Sequence, residues 1–206
     1  MFLNTKPTSD KNPPTMNISI LSGSARSQNN TYRVALALQK QFDEYGHDTT
    51  LVDFTYYDLP LIHQGDINPQ ALTLFQQNLI SSIEQANLCI IVTPEYNWTT
   101  TPEILNMVHR LADKNFKHIF NNKVFAFVGV SSGKGGKMPA VQLVSVFNKI
   151  ISFMGLFSIS SPKILEAHFV KEVLDEKGNS LGNALFDKGL EDFVQYNLYI
   201  ANRWKA

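Results

Sequence analysis

The sequence predicts a doubly wound α/β fold: a five-stranded parallel sheet with helices on both faces. Five short β-rich runs are each followed by a stretch with helical spacing, which makes repeated right-handed crossover units. Runs such as LCIIV at 88–92 and VFAFV at 124–128 are apolar throughout rather than alternating, as strands buried on two faces must be. At 206 residues, with no internal repeat, low-complexity tract or linker, the chain suits one well-cored domain over 16–206.

The first strand is NISIL at 17–21. The helix after it places Val34, Leu38 and Phe42 four residues apart and closes at Gly46. HDTTLVDF at 47–54 reads as the second strand. Asn68 and Pro69 suit an N-cap and a first helical turn, after which Leu72, Phe75, Leu79 and Ile83 share a face. The third strand is 87–93, and its helix starts at Pro102 behind a Thr101 cap, with Ile104, Val108 and Leu111 inward. KVFAFVGV at 123–130 is the fourth strand. A glycine-rich loop then feeds a helix turning Val141, Val144, Ile151 and Met154 inward and ending at Gly155. LFSISS at 156–161 is the fifth strand, and an irregular stretch through 183 precedes a last helix carrying Phe186, Leu190, Phe193 and Ile200.

Eighteen basic and eighteen acidic side chains cancel, so no net field calls for nucleic acid or an anionic membrane surface. Cys89 is the single cysteine and sits in an apolar run, where it reads as a small buried hydrophobe in a reducing compartment. Residues 1–15 hold three prolines and lack the apolar core of a secretory signal, so a flexible leader is expected. No run approaches the ~20 apolar residues of a membrane span, and a cytoplasmic protein is expected. The histidines lack ligand spacing, GxSxG is absent and Cys89 reads as buried, so neither a metal site nor a catalytic nucleophile is assigned.

In such a sheet, ligands bind beyond the carboxyl ends of the strands. The loop after the first strand, SGSARSQNNT at 22–31, gathers hydroxyls, amides and an arginine at a helix start, a combination suited to a phosphate dianion. Ser24, Arg26, Ser27, Asn29, Asn30 and Thr31 are the candidate ligands; an ordinary polar turn capping the helix is the alternative. After the third strand comes TPEYNW, where Pro94, Glu95, Tyr96, Asn97 and Trp98 offer aromatic faces and amide edges to a planar heteroaromatic ring. After the fourth strand, SSGKGGKMP offers Ser131, Ser132, Gly133, Gly135 and Gly136, whose small residues let backbone approach a flat ligand.

Taken together, these loops resemble the NADPH-dependent FMN reductase family of flavodoxin-like proteins, relatives of quinone, chromate and azo-compound reductases. The family's GSxRxxSxN appears here as GSARSQNNT, with Asn29 and Thr31 in its Ser and Asn positions. DLPLIHQGD at 58–66 is similar to the segment after strand two, and PEYN is the most specific match. The family continues with PGxLKNAxD after three residues; this chain has WTTTPEILNMVHR, one residue longer, with Glu103, Asn106, Met107 and Arg110 in place of Gly, Lys, Asn and Asp. The resemblance implies strand order 2-1-3-4-5, FMN and NADPH (or NADH) as cofactors, and a homodimer or homotetramer. It further implies electron transfer from nicotinamide through FMN to a quinone, azo compound, metal oxyanion or free flavin, with the PEYN residues bordering the flavin ring. A flavodoxin-like electron carrier and a flavin-binding regulatory module remain the alternatives.

Overall fold

The computed structural model describes residues 15–205; the expected leader lies outside them except for Thr15. Strands β1 (Asn17–Ser22), β2 (Asp48–Asp53), β3 (Leu88–Pro94) and β4 (Val124–Val130) pair in parallel in the order β2-β1-β3-β4. The fifth position is shared by two short strands, β5 (Ile159–Ser160) and β6 (Leu165–Ala167). β5 pairs with Val124 and Phe125 at the start of β4, and β6 with Val128 to Val130 at its end. The expected single strand at 156–161 is thus shorter than read and is followed by a break at Pro162, which has no N–H for a ladder. β6 falls within the stretch expected to be irregular, as does the four-residue helix α5 (Val170–Val173).

Helices α1 (Asn30–Glu44) and α6 (Ala184–Lys205) cover one face, where Val34, Leu38, Phe42, Phe193 and Val194 pack on Ile18, Ile20, Ile90 and Val128. Helices α2 (Leu74–Gln85), α3 (Pro102–Leu111) and α4 (Lys137–Met154) cover the other, burying Leu79, Ile83, Ile104, Leu111, Leu143 and Phe147 against Leu21, Ile91 and Phe125. β3 and β4, central in the sheet, are buried at every residue, which is why their sequences do not alternate.

Two helices differ from expectation. α2 starts at Leu74, not at Pro69, because Thr73 and Gln76 form a reciprocal capping box: Thr73 Oγ1 accepts from Gln76 N (3.2 Å) and Gln76 Oε1 from Thr73 N (3.3 Å). Asn68 instead closes a separate turn, its Oδ1 accepting from Gln70 N at 3.0 Å. In α4 the buried stripe is Pro139, Ala140, Leu143, Phe147 and Ile150, one residue out of phase with the expected one. Phe147 sets that phase by packing on Phe125 (4.8 Å between centroids) and Phe127 (5.3 Å), which leaves Val144, Ile151 and Met154 at the shoulder and Val141 exposed.

Candidate functional site

Beyond the carboxyl ends of β1, β3 and β4 lies a cleft of ≈ 300 Å³ lined by Ser24, Arg26, Ser27, Gln28, Asn29, Asn30, Thr31, Pro94, Glu95, Tyr96, Val130, Ser132 and Lys171. It forms where parallel strands end side by side and their connections diverge to opposite faces.

The phosphate-type loop is built on the start of α1. Asn29 is the N-cap: its Oδ1 accepts from Tyr32 N and its Nδ2 donates to Arg26 O, both at 2.7 Å. Its side chain is therefore spent on the cap. The N–H groups of Asn30 and Thr31, in the first turn, have no intrahelical acceptor by construction. Thr31 is a lining residue of the cleft, and its Oγ1 is buried with no hydrogen-bond partner among the described residues. Such an orphan costs roughly 1–3 kcal/mol unless something accepts or donates to it. Ser24 is buried beside it, and the exposed Arg26 guanidinium sits 4.3 Å from the centre of the Tyr96 ring. Two cations, Arg26 and Lys171, thus border the helix start.

The rim after β3 is tied down within the protein. Tyr96 and Thr99 exchange both backbone hydrogen bonds at 3.0 Å, so Asn97 and Trp98 are the two central residues of a tight turn and both have positive φ, 51° and 67°. Asn tolerates this conformation; an indole-bearing residue does so at a cost of order 1 kcal/mol or more. Trp98 is 73% exposed, and neither it nor Asn97 lines the cleft. Thr100 Oγ1 and Thr93 Oγ1 pair at 2.8 Å, and Thr101 Oγ1 both caps α3 and donates to Gly23 O at 2.9 Å.

Residues of α3 that depart from the expected family pattern hold the segment after β2. Asn106 Nδ2 donates to Tyr57 Oη (2.7 Å) and Pro60 O (3.2 Å), and Arg110 donates to Gly65 O and pairs with Asp66 at 3.3 Å. Burial pushes the Tyr57 phenol up to about 12, against the opposing effect of the Asn106 bond.

From the loop after β4, only Ser132 lines the cleft. Ser131 N donates to Ala167 O at 2.9 Å, and Gly133 O accepts from Phe169 N at 3.2 Å. Gly135 and Gly136 press against the Glu95 carboxylate and the Gly129 backbone. These glycines make room for protein, not for an open face. Gln28, Val130 and Lys171 were not singled out from sequence. Lys171 lies on α5, in a stretch with no readable periodicity, and no spacing signal could have found it.

No curated protein matches the chain. Among solved structures, the flavoenzyme NAD(P)H:(acceptor) oxidoreductase FerB from Paracoccus denitrificans is 20% identical with a TM-score of 0.66, covering 93% of this chain and 97% of its own. An azoreductase from Bacillus anthracis str. Sterne is 12% identical (TM-score 0.52; 92% and 100% covered), and a flavodoxin from the domain Archaea is 12% identical (TM-score 0.51; 92% and 98% covered). At these identities the likeness shows a flavodoxin-like fold. The model of the family described as NADPH-dependent FMN reductase matches residues 16–167, taking in all three loops around the cleft. With that match over most of its length, the chain belongs to the NADPH-dependent FMN reductase family, whose cofactors are FMN and NADPH.

Proposed function

We propose that the protein takes electrons from NAD(P)H and delivers them, through FMN held in the cleft between the three loops, to a small acceptor such as a quinone, an azo compound, a metal oxyanion or free flavin. The observation that carries this reading is a cleft at the start of α1 lined by Thr31, whose buried hydroxyl has no partner among the described residues, and by Arg26. That is a donor set for a phosphate dianion.

The residues present fit FMN. Ser24, Thr31, the first-turn N–H groups of α1 and Arg26 would hold the phosphate, while Pro94, the Glu95 backbone, Tyr96 and Ser132 would wall the ring. When bound, FMN supplies the two-electron chemistry, and the chain supplies position, charge and exclusion of water. Arg26, whose guanidinium lies over the Tyr96 ring, would neutralise the phosphate. Asn97 and Trp98, beyond the cleft lining, would shape the approach of nicotinamide and acceptor.

If both substrates use one face in turn, they compete and the kinetics are ping-pong. Parallel double-reciprocal lines with NADPH and a quinone are the expected result; intersecting lines would contradict a shared place. A homodimer or homotetramer, acting in the cytoplasm, completes the reading. The assembly is supported by the exposed Leu74 and Tyr56, which line one groove that a second copy would cover, and sedimentation analysis measures it directly.

A further inference from the structure

We propose that the Glu95 side chain is a positioning residue that clamps the glycine-rich loop after β4 against the cleft. The proposal rests on the flavin reading above but concerns a group that acts through another part of the protein. Glu95 Oε2 accepts from Gly136 N at 2.5 Å, and a Cβ on Gly135 would lie 2.7 Å from Glu95 Oε1. The Glu95 backbone is fixed as well, its N–H donating to Val130 O at 2.8 Å, so the carboxylate starts from a point held by β4.

The same loop is gripped from the opposite side. His168 Nδ1 accepts from Gly135 N at 3.2 Å, and Phe169 N donates to Gly133 O at 3.2 Å. Phe169 has φ 45° and ψ 45°, a strained conformation for a bulky residue that persists only where surrounding structure imposes it. A run with three glycines would otherwise sample many conformations. Pinned by Glu95 on one side and by His168 and Phe169 on the other, it holds Ser132 at the cleft wall.

A clamp needs an acceptor at this point and no charge, which separates Glu95→Gln from Glu95→Ala. In the full-length chain without FMN, Glu95→Ala should speed Gly136 amide hydrogen exchange, and in FMN titrations it should weaken binding, each by about tenfold, the scale of one lost hydrogen bond. Glu95→Gln should stay within about threefold of wild type in both, because its amide oxygen still accepts. Gly135→Ala gives an independent arm: its methyl group meets the carboxylate, so it should weaken FMN binding more in wild type than in the Glu95→Ala background. Full FMN affinity in Glu95→Ala, or a loss in Glu95→Gln as large as in Glu95→Ala, would overturn the clamp alone. Wild-type protein that takes up no FMN would instead remove the flavin reading and, with it, the clamp's purpose, whatever the exchange rates.

Discussion

The loop after β1 and the loop after β3 are equally polar, yet they dispose of their polar groups in opposite ways. Along 22–31 one side chain, Asn29, serves the cap, while Thr31 keeps its buried hydroxyl without a partner and Arg26 reaches out over Tyr96. Along 93–101 nearly everything is paired within the protein: Thr93 with Thr100, Tyr96 with Thr99, Thr101 with Gly23, Glu95 with Gly136. One region has donors left over; the other has spent them on its own shape. The first is fitted to grip a ligand and the second to form a stiff wall, a distinction that residue type alone does not reveal.

A substitution that the backbone of the wall cannot accommodate should act through folding. Gly129→Ala is expected to have the largest effect, because its methyl group would overlap the backbone of Gly136, and overpacking there should cost about 3 kcal/mol, measured by denaturant unfolding. Substitutions in the gripping loop should act through the ligand. Arg26→Ala should weaken FMN binding by ~1.5–3 kcal/mol, followed by fluorescence quenching; unchanged affinity would remove Arg26 from the site. Thr31→Val sharpens the contrast most. It should leave stability equal or slightly higher, since no bond within the protein is lost, while FMN affinity falls by about 1 kcal/mol.

A smaller effect is expected at Trp98, where Gly adopts positive φ without the penalty a bulky side chain carries. Trp98→Gly should hold or raise the melting temperature, by up to about 1 kcal/mol of relieved strain, while altering which acceptors are reduced. A clear loss of stability would show that the indole is held by contacts with a second copy.

The effect that is smallest at neutral pH is an alkaline one. Burial pushes the Cys89 thiol up to about 12 from its ordinary 9.0, so above pH 9 the unfolded chain loses a proton that the folded chain retains. Stability is therefore fully present below pH 9 and declines as pH rises from there toward 12. Cys89→Ala should flatten that decline in chemical denaturation, and native protein at neutral pH should be slow to react with a thiol reagent.

The sheet was legible because each of its signals is local. Apolar runs such as 88–92 and 124–128, caps such as Thr101 with Pro102, and the glycine-terminated helices act within a few residues. The phase of the α4 stripe is not legible locally, because it is decided by Phe125 and Phe127, which belong to another element. Likewise Asn68 and Pro69 carry a valid helix-start signal that the Thr73–Gln76 capping box overrides. At the cleft, the loops were legible by position at the ends of β1, β3 and β4. Which side chains face inward was not, since Asn29 turned to the helix cap, Gly135 and Gly136 to Glu95, and Lys171 arrived from a helix with no periodicity to read.

The central claim is that the cleft binds FMN and allows NADPH to reduce it. The most direct measurement is the visible absorption spectrum of the purified full-length protein, recorded with FMN and then anaerobically after excess NADPH. A protein-bound flavin spectrum that bleaches on NADPH addition is predicted. Failure to retain flavin, or a bound flavin that stays oxidised, would contradict the account.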